Sequence, residues 1–279
     1  MIDEDLPALA AQSFRLALAS CGECRDYHAT WSYVRAAGLR KGAPADIPHL
    51  RECLEGLSGS VSVLIAGSAD TGQVVAVANA LPDRRGRITL VDVCQTPLAL
   101  CESFAADHAL PLTVGRVDIE QAAGYGPFDV VLFHNFLSFL DDSKRHAALA
   151  SLRLALSPQG RLVIFQRLAA AEATGGGAID GTEAARRVTE ALRLRGIPLP
   201  EEEERFAKRL AAAAGSAARA RRLSAFTSVT QIEDNLLRAG YREIRVRALA
   251  EPASEGVADA PWRRPSPRFL VLAGAGPGA

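Results

Sequence analysis

The order of apolar and polar residues changes character near residue 60. Before it, apolar side chains recur every three or four positions in LPALAAQSFRLALA, YHATWSYVRAAGL and ADIPHLRECLEGL, which predicts helices. In the third segment Asp46 is a candidate helix cap, and Pro48 falls in the first turn. Beyond residue 60, short apolar runs alternate with helical stretches. We therefore predict a helical N-terminal cap over residues 1–58 and a second domain over residues 59–279.

The alternating region predicts a parallel sheet. Its buried runs are VSVLIAG, ITLVDV, LTVGRVD, FDVVLFH and RLVIFQR, and the segments between them, such as QVVAVANAL and DDSKRHAALASLRLAL, have helical periodicity. The short SPQG segment predicts a turn before the fifth strand. Strands that alternate with helices of this length form βαβ units, whose right-handed crossovers place helices on both faces of the sheet.

Residues 168–228 interrupt this alternation. They contain a glycine-rich stretch, ATGGGAIDG, and two polar, alanine-rich segments that predict helices. The alternation then resumes with the helix VTQIEDNLLRAG and the strands YREIRVRAL and FLVLAGA. The residues between the last two strands are rich in proline, which predicts a hairpin-like surface connection and an antiparallel final strand.

Composition narrows the classes of partner. The chain has 279 residues, 48% of them hydrophobic, with 32 basic and 32 acidic side chains and no net charge. This balance provides no basic field and argues against a nucleic-acid partner. The acidic start MIDEDLPALAAQS lacks a secretory pattern, and no apolar run approaches the roughly 18–20 residues that cross a bilayer. We expect a soluble cytoplasmic protein without membrane contact.

The five cysteines are an odd number in a large chain, which argues against a disulfide framework. Cys21 and Cys24 have CxxC spacing, but no second CxxC and no histidine pair follows to complete a tetrahedral zinc set. We therefore expect structural or incidental thiols and no metal.

Polar or small residues follow three of the predicted strands, where open α/β sheets bind ligands. GSADTG after the first strand lets the backbone approach a ligand, Asp92 after the second can accept both hydroxyls of a ribose, and Asp118 after the third can accept from an exocyclic amine. Each feature also has a simpler interpretation, as an ordinary turn or a helix cap. Their occurrence together and in this order favours a nucleoside site.

The segments VLIAGSADTG, ITLVDVCQTPLALC, VGRVDI and FDVVLFHNFLSFLDDSKRHAALASLRLALSPQGRLVIFQR resemble the class I S-adenosylmethionine-dependent methyltransferases over about residues 60–170 and 228–275. The resemblance implies an α/β fold: a Rossmann-like, seven-stranded, mostly parallel sheet with an antiparallel last strand and helices on both faces. The helical N-terminal cap and a helical insertion after strand five, residues 168–228, would be added to it. The implied methyl donor is S-adenosyl-L-methionine.

The resemblance also implies roles for individual residues. The methionine and ribose of the cofactor would be lined by Ala66, Gly67, Ser68 and Ala69, and the ribose hydroxyls would be held by Asp92. The adenine would be bordered by Val93, Asp118 and Ile119. The methyl group and the acceptor would be faced by His134 and Asn135. The chain departs from the family at Ile65, where an acid is common, and at Ala69 and Thr71, where glycines are common. Asp70 is a candidate replacement for the missing polar contact.

Methyl transfer from a sulfonium mainly requires alignment of donor and acceptor, but a base helps when the acceptor carries a proton. His134 is the predicted base, His28 from the cap is the alternative, and a purely structural histidine remains open at both positions. Tyr27 and Trp31 share a helix face with Arg35 and are predicted to bind the acceptor, as is Asn135, unless these residues only dock the cap or cap a turn.

Three classes of function remain open. The first is a methyltransferase that acts on an O, N or C atom of a small-molecule acceptor, which the cap and the insertion favour. The others are a methyltransferase that acts on a macromolecule and a catalytically silent homologue that serves as a binding partner. The sequence leaves the oligomeric state open, a homodimer included.

Overall fold

The computed structural model describes residues 1–40, 42–57, 59–81, 86–169, 181–250 and 267–275. The helices are α1 Leu6–Ser20, α2 Arg25–Ala36, α3 Ile47–Leu54, α4 Gly72–Ala80, α5 Gln95–Asp107, α6 Asp142–Leu154, α7 Gly181–Leu194, α8 Glu203–Ser224 and α9 Val229–Arg238. The strands are β1 Val61–Ala66, β2 Gly86–Asp92, β3 Leu112–Arg116, β4 Phe128–His134, β5 Leu156–Arg167, β6 Arg242–Leu249 and β7 Arg268–Gly274. Short 3₁₀ helices cover Ala43–Asp46, Ile119–Tyr125 and Phe136–Phe139.

The seven strands form one sheet in the order β3-β2-β1-β4-β5-β7-β6. Strands β1 to β5 pair in parallel, whereas β7 pairs antiparallel with both β5 and β6. This arrangement confirms the predicted fold class, including the antiparallel last strand. The strand order reverses between β1 and β4, so ligands are expected at the carboxyl ends of these two strands and their neighbours.

The central strand β1 is buried at every position, because helices cover both faces of the sheet. Val63 and Ile65 face one core, which contains side chains of α3, α4 and α5, and Leu64 faces the other, which contains side chains of α6 and α9. The outer strand β6 is mostly exposed and carries Arg242, Glu243, Arg245 and Arg247. Charged side chains on an edge strand discourage pairing with another chain.

Several helix starts follow from local side-chain chemistry. Asp5, Asp141 and Ser228 each accept a hydrogen bond from a backbone N–H of the first turn of α1, α6 and α9. Asp46 differs from the prediction: it precedes α3 but makes no capping hydrogen bond. Its carboxylate instead lies 2.7 Å from Nη2 of Arg268 on β7.

The SPQG turn also differs from the prediction. Strand β5 begins at Leu156, which pairs with Phe128, and the next pair joins Val130 to Arg161. Residues 157–160 are therefore an irregularity within β5 rather than a separate turn. Gly160 is required there, because a Cβ atom would lie 2.7 Å from the Phe128 carbonyl oxygen.

The cap and the insertion pack together. A third core joins α1 and α2 to α7 and α8 and includes Phe14, Tyr33, Leu192 and Phe206. Helix α3 instead belongs to the core of the sheet. The domain division at residue 58 stays a prediction. The predicted glycine-rich stretch and the proline-rich connection lie largely outside the described residues.

Candidate cofactor site

The turn after β1 is built around Gly67. Its φ is +77°, a conformation that L side chains rarely adopt. Its N–H donates to the Val91 carbonyl at 2.8 Å, which ties the turn to the end of β2. A Cβ atom at this position would lie 3.1 Å from the Phe136 ring, which follows β4. Gly67 therefore meets both a conformational and a steric requirement.

Asp92 ends β2 beside this turn, and backbone amides hold its carboxylate in place. Oδ2 accepts from the Ser68 N–H at 2.9 Å, and Oδ1 accepts from the Cys94 N–H at 2.7 Å. Burial raises the pKa of Asp92, and these hydrogen bonds oppose that rise. Each carboxylate oxygen can accept more than one hydrogen bond, so the fixed carboxylate can also accept from a pair of hydroxyls.

The residues predicted to border the adenine lie at the ends of β2 and β3. The Val93 side chain is 59% exposed, which is high for an apolar residue next to a half-buried carboxylate, and Ile119 is buried. Asp118 is exposed, and its side chain accepts from the Glu120 N–H at 3.1 Å. Asp118 thus caps the 3₁₀ helix that follows, which is the simpler of its two interpretations, and its contact with adenine stays a prediction.

Helix α2 lies against the turn after β1. The His28 ring nitrogen Nδ1 is 3.4 Å from the Ala69 carbonyl oxygen, and Arg35 Nη1 is 2.7 Å from Asp70 Oδ2. Asp70 Oδ1 accepts from the Gly72 N–H at 2.9 Å. Arg35 also pairs with Glu4. Both Asp70 oxygens are engaged by the protein, so the structure gives no support to Asp70 as a replacement cofactor contact.

Three thiols meet beside this helix. The Cys94 sulfur is 3.2 Å from that of Cys21 and 3.5 Å from that of Cys24. Burial and the neighbouring sulfurs raise the pKa of Cys24 to about 12. Burial lowers the pKa of His28, but Cys94, Asp92 and the Ala69 carbonyl more than offset this, and the net shift is upward.

His134 is the last residue of β4 and Asn135 follows it, and both are engaged by protein groups. The His134 ring stacks on Phe165 with centroids 4.5 Å apart, and Nδ1 lies 3.6 Å from the Asp46 carboxylate. Burial, with a smaller effect of Arg268, lowers the pKa of His134 to about 3. Asn135 adopts a left-handed conformation, and its Oδ1 accepts from the Arg167 N–H at 2.7 Å. A base role for His134 and an acceptor contact for Asn135 stay predictions.

Tyr27 and Trp31 stack on each other on α2, with ring centroids 5.9 Å apart and an interplanar angle of 25°. Both side chains are half-buried. Arg35, on the same predicted face, is buried in its pairing with Asp70 and Glu4. This face of α2 is thus aromatic and partly exposed near Tyr27 and Trp31, and charged and buried near Arg35. Binding of an acceptor by Tyr27 and Trp31 stays a prediction.

Comparison with known proteins agrees with this geometry. The family model of a methyltransferase domain matches residues 67–164, which run from the turn at Gly67 into β5. This central part of the chain is therefore similar to a methyltransferase domain, in agreement with the resemblance seen in the sequence. Among curated proteins, none matches the sequence.

Solved structures of methyltransferases share the fold of this chain at low sequence identity. An O-methyltransferase family protein from Burkholderia thailandensis is 12% identical, with a TM-score of 0.54 over 92% of this chain and 62% of that one. The methyltransferase SibL is 18% identical (TM-score 0.52, 98% and 70%), and the mitomycin 7-O-methyltransferase MmcR is 15% identical (TM-score 0.50, 97% and 69%). At these identities the similarity shows the fold alone. The chain spans about two thirds of the length of these structures.

Several contacts of this candidate cofactor site were not predicted from the sequence. Phe136 against Gly67, Glu4 beside Arg35, and Cys94 beside the CxxC pair join segments that are far apart in the chain. No local pattern could have indicated them. Among the described residues, no helix has both the length and the apolar character needed to cross a bilayer.

Proposed function

We propose that the chain transfers the methyl group of S-adenosylmethionine to an O, N or C atom of a small-molecule acceptor. The observation that supports binding of the methyl donor is the Asp92 carboxylate, which two backbone amides fix at the carboxyl end of β2. The match to a methyltransferase domain makes S-adenosylmethionine the expected donor. When bound, this cofactor supplies an electrophilic methyl group on a sulfonium.

The residues at the strand ends fit an adenosine. The Asp92 oxygens are oriented before any ligand arrives, which lowers the cost of ordering them on binding. Val93 presents an exposed apolar surface next to the carboxylate, as a purine face requires. Gly67, with its positive φ, turns the chain directly after β1 and so places Ser68 against the Asp92 carboxylate. We assign ribose binding to Asp92 and adenine packing to Val93 and Ile119.

The helical layer supports a small acceptor. Its core includes Cys94, which follows β2, and α8 contacts the Phe136–Phe139 segment, which follows β4. Helices of the cap and the insertion therefore reach the sheet edge at which the cofactor is expected. Such a cover limits the size of an acceptor and excludes water from the transfer. The half-buried Tyr27 and Trp31 pair is the proposed acceptor contact in this layer.

Alignment, rather than proton transfer, is the contribution that we assign to the chain. His134 has a pKa of about 3 and is a weak base, and the His28 ring contacts both Cys94 and the Ala69 carbonyl. Methyl transfer needs a base only for some acceptors, so the proposal does not depend on either histidine.

Calorimetry with S-adenosylhomocysteine tests the donor half. We expect the Asp92→Ala variant to bind at least about 100-fold more weakly, because two hydrogen bonds to a charged group are lost. Asp107→Ala, at the exposed end of α5, is the matched control and should bind normally. Circular dichroism would verify that both variants fold. A wild-type protein that fails to bind would indicate a silent homologue, and normal binding by Asp92→Ala would refute the assigned site.

Incubation with radiolabelled S-adenosylmethionine tests the acceptor half. Pools of phenols, amines and carboxylic acids should become labelled in the soluble fraction. Label that appears only in protein or RNA would contradict a small-molecule acceptor while leaving the donor site intact.

A further inference from the structure

Two loops that are distant in sequence bring three cysteines together. Cys21 and Cys24 lie in the connection between α1 and α2, and Cys94 lies between β2 and α5. All three sulfur atoms lie within 4.8 Å of one another. Cys21 and Cys94 are buried, and Cys24 is partly buried. The cluster therefore lies at the contact between the cap and the loop that follows Asp92.

The spacing of the sulfurs is close to that of a metal site. In a tetrahedral zinc site with Zn–S bonds of about 2.3 Å, neighbouring sulfurs are about 3.8 Å apart. The Cys94 sulfur is 3.2 Å from the Cys21 sulfur and 3.5 Å from the Cys24 sulfur. The thiols need to separate only slightly to admit an ion at their centre.

His28 on α2 is the candidate fourth ligand, but its ring nitrogens lie outside the group of three sulfurs that are within 4.8 Å of one another, so the ring would have to move toward them. Histidines that bind metals usually donate their second ring N–H to a carbonyl or carboxylate. Nδ1 of His28 lies 3.4 Å from the Ala69 carbonyl oxygen. Nε2 is then the available ligand atom. The Thr96 hydroxyl, 2.9 Å from the Cys21 sulfur, can donate to a thiolate there.

We propose that Cys21, Cys24, Cys94 and His28 form a structural zinc site that fixes the cap to the cofactor loop. Soft thiolates with one imidazole form a closed tetrahedral set that suits Zn²⁺. As each Zn–S bond forms, the thiol releases its proton to solvent, and no oxidant is needed. The ion would hold the Cys94 loop, whose backbone N–H donates to Asp92. The site thereby connects metal binding to the geometry of the proposed ribose contact.

The full-length protein, depleted of metal, is titrated first with Co²⁺ and then with Zn²⁺. We expect one ion per chain, thiolate-to-cobalt charge-transfer bands with the intense visible bands of a tetrahedral site, and displacement of cobalt by zinc. Zinc should also protect three of the five cysteines from alkylation. This second measurement needs no variant. Absence of tight binding, or alkylation unaffected by zinc, would overturn the proposal.

Cysteine variants test whether the ion binds at this cluster. Cys94→Ser should weaken zinc binding more than about 100-fold, beyond the usual cost of losing an outer-shell partner. Cys53→Ser, at a buried cysteine outside the cluster, is the matched control and should bind as the wild type does. Equal affinities in the two variants would refute the cluster.

His28→Ala should weaken binding and shift the cobalt visible bands while the charge-transfer bands remain. An unchanged affinity and spectrum would refute His28 as a ligand. Peptide mapping under non-reducing conditions tests the alternative that the cysteines form a disulfide. A Cys21–Cys94 disulfide in freshly purified protein, with no bound metal, would overturn the proposal in favour of a redox pair.

Discussion

At the scale of single residues, His134 shows how its surroundings decide the properties of a strand-end histidine. Its ring is covered by Phe165 and faces Asp46, yet it remains neutral because burial dominates. Asp46 lies only 3.6 Å away, but its charge is compensated by Arg268 at 2.7 Å. A histidine at this position that was exposed to solvent would have a higher pKa and would be a far stronger base.

The buried His134 predicts sensitivity to acid. Its pKa falls from 6.5 to about 3, so between these values the unfolded chain binds a proton that the folded chain does not. The free energy of unfolding therefore rises with pH across this window, and stability is lost as pH falls below about 6.5. The loss from this residue should reach about 2 kcal/mol by about pH 5.

Urea unfolding at a series of pH values measures this dependence. His134→Gln should flatten the slope between about pH 6.5 and pH 4, because a glutamine does not titrate there. His146→Gln, at an exposed position on α6, is the control and should keep the wild-type slope. A steep slope that persists in His134→Gln would show that another group causes the acid sensitivity.

At the scale of secondary-structure elements, the important contact is that between α2 and the turn after β1. Arg35 pairs with Glu4 and Asp70 although all three side chains are almost fully buried. Buried charges are expensive to leave without a partner. This contact therefore fixes the cap against the cofactor loop through paired charges rather than through apolar packing alone.

Removing the arginine should be costly. We expect Arg35→Met to lower the free energy of unfolding by about 3–5 kcal/mol, because two buried carboxylates lose their partner. Arg186→Met is the control: the Arg186 side chain on α7 is 61% exposed and pairs with the carboxylates of Glu183 and Glu190 at the surface, so the loss should be much smaller. Similar losses in the two variants by urea unfolding would contradict a special role for the buried pairing.

The sequence predicted the elements well because each has its own periodicity. The run VSVLIA and the helical spacing of α6 are local signals that tertiary packing did not override. The site was predicted only where it follows strand ends, as at Gly67 and Asp92. Cys94 beside Cys21, and Glu4 beside Arg35, depend on how α1 and α2 dock. Docking is set by side chains on several segments together, and one sequence does not reveal it.

At the scale of the whole molecule, the cap and the insertion form one helical layer. Phe206 of α8 is fully buried between cap residues, with ring centroids 5.1 Å from Tyr33 and 6.4 Å from Phe14. Residues separated by more than 150 positions thus share one core. Because α1, α2, α7 and α8 share this packing, we expect them to lose their structure together.

Phe206→Ala tests this cooperativity. The cavity should cost about 3–5 kcal/mol, and hydrogen exchange followed by mass spectrometry should show that residues 6–36 and 181–217 lose protection together while β1 and β4 stay protected. Leu194→Ala, at a side chain that is 81% exposed, is the control and should leave exchange unchanged. Loss of protection confined to α8 would contradict a single layer.

The position of β7 has a consequence for biosynthesis. This strand lies between β5 and β6, although it is the last of the three in the chain. A ribosome adds residues in sequence order, so β6 emerges before β7, the strand that joins it to the sheet among the described residues. The first five strands can assemble while translation proceeds, but the final edge must wait for residues 268–274. The sheet is thus completed only late in translation, after residues 268–274 have been synthesised.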